Sequence, residues 1–161
     1  MGFQVEVTAE SIEKPVDRPG GARFGTLVHT ILRDAPLDAG RDALASLGEV
    51  HGRVLGASTE EVEAAVDATE AALHHPLLGR AGRAGRLHRE LPIILKLDAS
   101  RVLEGVIDLA FEADGCWHIV DFKTDADIAA NRAHYERQLQ WYGLALSRLN
   151  NAPVQAHLLS I

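Results

Sequence analysis

At 161 residues, with 47% hydrophobic and 24% charged residues, the chain can bury one good core and reads as a single α/β domain rather than a disordered tail. A formal charge of −7 excludes a protein that coats nucleic acid through bulk positive charge, and a single cysteine, Cys116, excludes an internal disulfide framework or a four-cysteine zinc or iron–sulfur site. No apolar run approaches the roughly 20 residues that cross a bilayer, and the polar, acidic start is unlike an export signal. The expectation is a cytoplasmic protein with no membrane partner.

Residues 1–23 are polar, with Pro15, Pro19, Gly20 and Gly21 near their end, and are expected to form an arm or linker ahead of a domain at 24–161. From Gly25 to Arg33 the period turns helical, with Phe24, Leu27, Val28 and Ile31 on one face and His29 at its seam. A second helix is expected around 42–54. A third starts at "STEE", where Ser58 can cap and Glu61 can reach back to complete a capping box, and is expected to stop at Pro76.

The segment "RAGRAGRLHR" then sets Arg80, Arg83, Arg86 and Arg89 at every third position, either as a phosphate-holding cluster or as a solvated Gly-rich turn. Three β-branched and aromatic runs follow, "LPIILKL", "RVLEGVIDLAF" and "CWHIVDFK", the last two joined by a hairpin turn at "EADG". A long helix over about 131–150 presents Tyr135, Leu139, Tyr142, Leu146 and Leu149 on one face, and a short strand, "VQAHLLSI", comes last. The fold class is α/β, a central mixed β-sheet flanked by α-helices.

The strands carry the chemistry. Alternate residues of a strand share a face, so Asp121 and Lys123 point the same way and Phe122 the other. Asp108, near the end of the preceding strand, can lie beside Asp121 if the hairpin register permits. Two adjacent carboxylates repel unless a proton or cation intervenes, and a hard divalent ion such as Mg²⁺ or Mn²⁺ accepts both. His29 adds an imidazole ligand that suits Mn²⁺ better than Mg²⁺. Read alone, Asp121 and Lys123 make an ordinary solvent-facing ion pair, and His29 a structural histidine.

Taken in order, "GTLVH" with His29, "RELP" with Glu90, "GVIDL" with Asp108, "VDFKT" with Asp121 and Lys123, and "QLQWY" with Gln138 and Tyr142 resemble the RecB-like branch of the PD-(D/E)XK nucleases. The resemblance covers about 24–161 and implies a restriction-endonuclease-like core. It implies His29, Asp108, Asp121 and the Phe122 carbonyl as ligands of Mg²⁺ or Mn²⁺, and Lys123 as the catalytic lysine. Gln138 and Tyr142 would line a cleft that meets DNA, and Glu90 matches a family glutamate.

The activity implied is metal-dependent hydrolysis of DNA, single-stranded or at ends, by an exonuclease domain working with a helicase motor in cis or trans in recombinational break repair. The chain has no phosphate loop of its own, so an excised nuclease domain is expected rather than a motor. The alternatives are a catalytically idle DNA-binding or docking module of a helicase complex, and a phosphohydrolase of small nucleotides.

Overall fold

The structure, a computed structural model, describes residues 4–161. Its elements in chain order are β1 (Glu6–Ser11), α1 (Ala22–Asp34), α2 (Arg41–Leu55), α3 (Thr59–Leu73), α4 (Pro76–Gly82), β2 (Arg86–Lys96), β3 (Val102–Ala113), β4 (Cys116–Lys123), α5 (Ile128–Asn150) and β5 (Val154–Ser160). Two of these depart from expectation. Strand β1 falls inside the segment read as an arm; one half-buried residue among its six explains why no two-residue alternation marks it. Pro76, expected to end a helix, instead opens α4, where proline's missing N–H costs nothing and its fixed φ suits the first turn.

The strands form one sheet in the order β1-β5-β4-β3-β2. Strands β2, β3 and β4 pair antiparallel in succession. The β3–β4 turn is made by Asp114 (φ 56°) and Gly115 (φ 73°), the two left-handed residues that a tight hairpin turn demands. Strand β5 runs parallel to β4. The Trp117 amide donates to the Pro153 carbonyl at the start of both strands, and the Ile161 amide donates to the Lys123 carbonyl at their ends, each at 2.9 Å. Helix α5 is therefore the crossover that a parallel pair requires, and the sheet is mixed.

The chain forms two compact units. One contains the residues up to Glu10, Arg83–Asp121 and Ala129–Leu159, which is most of the sheet with α5. Helix α5 lies on that sheet closely enough that two positions exclude any side chain. A methyl group on Gly143 would sit 2.6 Å from Val5, and one on Gly105 would sit 2.2 Å from the Tyr142 hydroxyl. Phe111, Ile107, Ile119, Leu139 and Leu158 fill the core.

The second unit contains Ser11–Gly82, Phe122–Ile128 and the last two residues. Phe24, Leu27, Val28 and Ile31 of α1 are fully buried with Leu44 of α2 and Ala65 and Ala72 of α3. Here Arg18 donates to the carbonyls of Thr124 (3.2 Å) and Ile161 (2.9 Å) and lies over the Phe24 ring, 5.1 Å from its centroid. Lys14 donates to the Asp125 carbonyl at 3.1 Å and to the Ser160 hydroxyl. These basic residues tie the segment after β1 to the ends of β4 and β5.

The capping box at α3 forms as expected: Ser58 Oγ accepts from the Glu61 amide (3.1 Å) and Glu61 Oε2 accepts from the Ser58 amide (2.8 Å). Ser58→Ala should cost about 1 kcal/mol in urea denaturation. The Ser58 amide and then the Arg23 guanidinium hold the Glu61 carboxyl below the usual glutamate range. A depressed folded-state pKa contributes stability above the unfolded value, lost as pH falls through the folded one. Glu61→Gln should therefore be less stable than wild type near neutrality, with the difference closing in acid.

Candidate functional site

The geometry of interest is a row of acids across three strands. In the β2–β3 ladder Arg89 pairs with Leu109 and Leu91 with Ile107, so the positions between them are Glu90 and Asp108. In the β3–β4 ladder Leu109 pairs with Val120, and the next position along each strand is Asp108 and Asp121. The register left open by the sequence thus brings the two aspartates to neighbouring positions, whose side chains share one face of the sheet. Lys123, two residues beyond Asp121 in β4, shares that face by strand alternation.

Glu90 has φ 49°, a left-handed backbone inside a strand and unusual for glutamate. The departure interrupts β2 at the acidic row, and the side chain is exposed. Nothing in "RELP" announces this conformation.

The row also divides the sheet by environment. Asp108 is half-buried and Asp121 only 7% exposed. The Oδ2 atom of Asp121 is enclosed and accepts no hydrogen bond, while the residue makes other interactions. Among the described residues no three His, Cys, Asp or Glu side chains gather into a metal-holding group. The side-chain donors on this row are thus a carboxylate pair. That set fits a hard cation such as Mg²⁺, which is held through one or two carboxylates and keeps several waters.

The other expected residues fall as follows. His29 is half-buried on α1, its ring edge-on to Phe122 at 6.4 Å between centroids. Phe122 is buried on the β4 face opposite Asp121. Nearby, a methyl group on Gly25 would meet the Thr124 hydroxyl at 2.9 Å, so the glycine of "GTLVH" lets α1 approach the end of β4.

Gln138 and Tyr142 do come together, Gln138 Nε2 donating to the Tyr142 hydroxyl at 3.1 Å. Tyr142 is 6% exposed and lies over Gly105. Gly105 and Asp108 are three residues apart in β3, so this pair supports the face of β3 opposite the aspartates. Gly105 is the functional neighbour missed in the sequence; its only signal was a glycine inside a strand, which marks a close approach.

The arginines do not share one element. Arg80 lies in α4 and Arg83 in the turn after it, while Arg86 and Arg89 lie in β2, three residues apart and so on opposite faces. Arg86 pairs with Glu112 across the ladder at 3.4 Å.

Residues 3–161 match the family model of the PD-(D/E)XK nuclease superfamily. The chain belongs to that superfamily. Its mixed sheet is consistent with the restriction-endonuclease-like fold, and the Asp108, Asp121 and Lys123 positions follow the superfamily's signature of an acid before an acid-x-lysine triplet.

The chain is similar to several bacterial proteins named as ATP-dependent helicase/nuclease subunits. It is 29% identical to that of Alkaliphilus oremlandii over 154 residues, covering 83% of this chain and 13% of the relative. Against the Staphylococcus epidermidis protein it is 26% identical over 160 residues, covering 84% of this chain and 13% of the relative. A shorter match to the Clostridium kluyveri protein is 34% identical over 71 residues, 43% of this chain and 6% of the relative. The nuclease-superfamily domain thus spans about an eighth of the length of the first two relatives.

Proposed function

We propose that the domain is a divalent-metal-dependent deoxyribonuclease, acting as an exonuclease beside a helicase motor in DNA break repair. The observation that carries the reading is the Asp108–Asp121 pair with Lys123 on the same strand face, in a chain of the PD-(D/E)XK nuclease superfamily. Asp108, Asp121, the Phe122 carbonyl and His29 would hold Mg²⁺ or Mn²⁺. The ion supplies Lewis acidity toward the phosphate and lowers the pKa of water to make a nucleophile near neutral pH.

The chain's own groups do the rest. Asp108 and Asp121 fix the site on rigid strands, where β-pairing holds their backbones. The Lys123 ammonium orients the attacking water and stabilises the negative charge that builds on the phosphate oxygens as the P–O bond breaks. Tyr142, with Gln138 on its hydroxyl, is a positioning residue that braces β3 behind Asp108. Glu90 joins the acidic row beside Asp108, and Arg80, Arg83, Arg86 and Arg89 offer phosphate contacts. The names of the relatives support a cytoplasmic DNA-repair setting with the motor supplied in cis or in trans.

The test is incubation of the purified chain with end-labelled DNA in Mg²⁺, Mn²⁺ or EDTA. Cleavage is expected with either ion, faster with Mn²⁺ because of His29, and none with EDTA. Undiminished cutting in EDTA would sink the metal mechanism. Metal-dependent DNA binding without any cleavage would favour the idle docking module.

A further inference from the structure

One surface beside the acidic row is left unexplained by the reaction itself. Across the β2–β3 ladder, Pro92 stands opposite Val106, Ile94 opposite Glu104 and Lys96 opposite Val102. Residues paired across antiparallel strands point to the same side, so these six make one face. All six are exposed, with Ile94 at 69%, Val102 at 56% and Val106 at 45%. The opposite face of the same hairpin is ordinary core, with Ile93 and Ile107 buried and Gly105 beneath Tyr142.

The exposed apolar face is continuous with the candidate site. Asp108 lies two residues beyond Val106 in the same strand and therefore on the same face. From Val102 to Asp108 the strand covers about 20 Å, the length of a few nucleotides. Four apolar side chains line that path, and its two charges, Lys96 and Glu104, are of opposite sign.

Charge decides what would occupy it. A chain of net charge −7 draws little affinity for a polyanion from its overall field, so DNA binding needs a contribution that does not come from phosphate. Unpaired bases supply one by laying their faces on apolar side chains, which paired and stacked bases cannot do.

We propose that Pro92, Ile94, Val102 and Val106 form a base-binding ledge that holds the unpaired nucleotides of a single DNA strand as it reaches Asp108 and Asp121. The ledge rests on the nuclease reading for its substrate, and it makes that substrate a single strand entering along the β2–β3 hairpin.

The test is fluorescence anisotropy in EDTA, with three probes of equal length: an oligothymidine, an oligonucleotide of the same phosphates lacking bases, and a blunt duplex. Wild type is expected to bind oligothymidine about tenfold more tightly than the abasic strand. Ile94→Ser/Val106→Ser should erase that preference while leaving abasic and duplex binding unchanged. Ile94→Ser/Val102→Ser, further from the acids, should reduce it, and both variants should melt like wild type because the replaced side chains are exposed. Equal binding of the two strands by wild type overturns the ledge, as does a folded variant that keeps the preference. A kept preference with a changed oligomeric state would assign the strip to a protein contact. Loss of preference in the variants, from a chain that never cuts DNA with any metal, keeps the ledge and sinks the nuclease reading.

Discussion

Lys123→Ala should abolish cleavage of end-labelled DNA while leaving divalent-ion binding intact in calorimetry, whereas Asp121→Asn should abolish both. The difference follows from position on one strand. Asp121 is a nearly enclosed carboxylate next in register to Asp108, so replacing it halves the anionic charge available to a cation. Lys123 is half-buried two residues further on, a cation that cannot itself ligate a metal but can act on charge at the phosphate. Loss of such a group costs about 10²–10⁴ in rate. Ion binding by Lys123→Ala should be unchanged or tighter, since a like charge has gone. Without metal, Asp121→Asn should raise the melting temperature by about 2–4 °C if relief of the carboxylate repulsion is worth about 1 kcal/mol. Full cleavage by either variant would remove the constellation from the mechanism, and failure of Lys123→Ala to bind metal would overturn the division of roles.

Gly105→Ala should be the most damaging single methyl group in the sheet-bearing unit. The added carbon would stand 2.2 Å from the Tyr142 hydroxyl and 2.5 Å from two of its ring carbons, so a large buried ring must move or α5 must lift from β3. Overpacking of this kind costs about 1–3 kcal/mol. Cleavage should fall with it, because the displaced ring bears on β3 three residues from Asp108. Tyr142→Phe removes only the hydroxyl that accepts from Gln138, and it should retain stability within about 1 kcal/mol. Restoration of stability in Gly105→Ala/Tyr142→Leu, measured by urea denaturation, would show that the steric contact is responsible. An unperturbed Gly105→Ala single variant would refute it.

What was legible in the sequence is what local chemistry determines. The Ser58–Glu61 box, the Asp114–Gly115 turn and the shared face of Asp121 and Lys123 each depend on residues at most three apart. The hairpin turn then sets the β3–β4 register, which is why Asp108 could be named as the neighbour of Asp121 before any fold was known. The remainder depends on distant partners. Strand β1 has no apolar alternation because it is an edge strand, with Val5 supplying the buried contact just before it. Gln138 and Tyr142 were recognisable as polar groups needing partners on an apolar helix face, but not as supports of the opposite side of β3. That depended on which face of the sheet α5 covers, and Gly105 alone hinted at it.

The pairing of β1 with β5 also bears on how the chain is made. Thr8 Oγ1 and His157 Nδ1 meet at 3.0 Å across 149 residues of sequence, so these neighbours close one of the longest loops the chain contains. At ribosomal rates on the order of ten seconds separate the synthesis of the two strands. Throughout that interval β4 has its β3 neighbour but no β5, and its open edge carries buried-type residues, Val120 and Ile119, with unsatisfied backbone groups. Assembly is thus governed by the last strand to appear, and the vulnerable species during biosynthesis is a hairpin-containing intermediate waiting for its central partner.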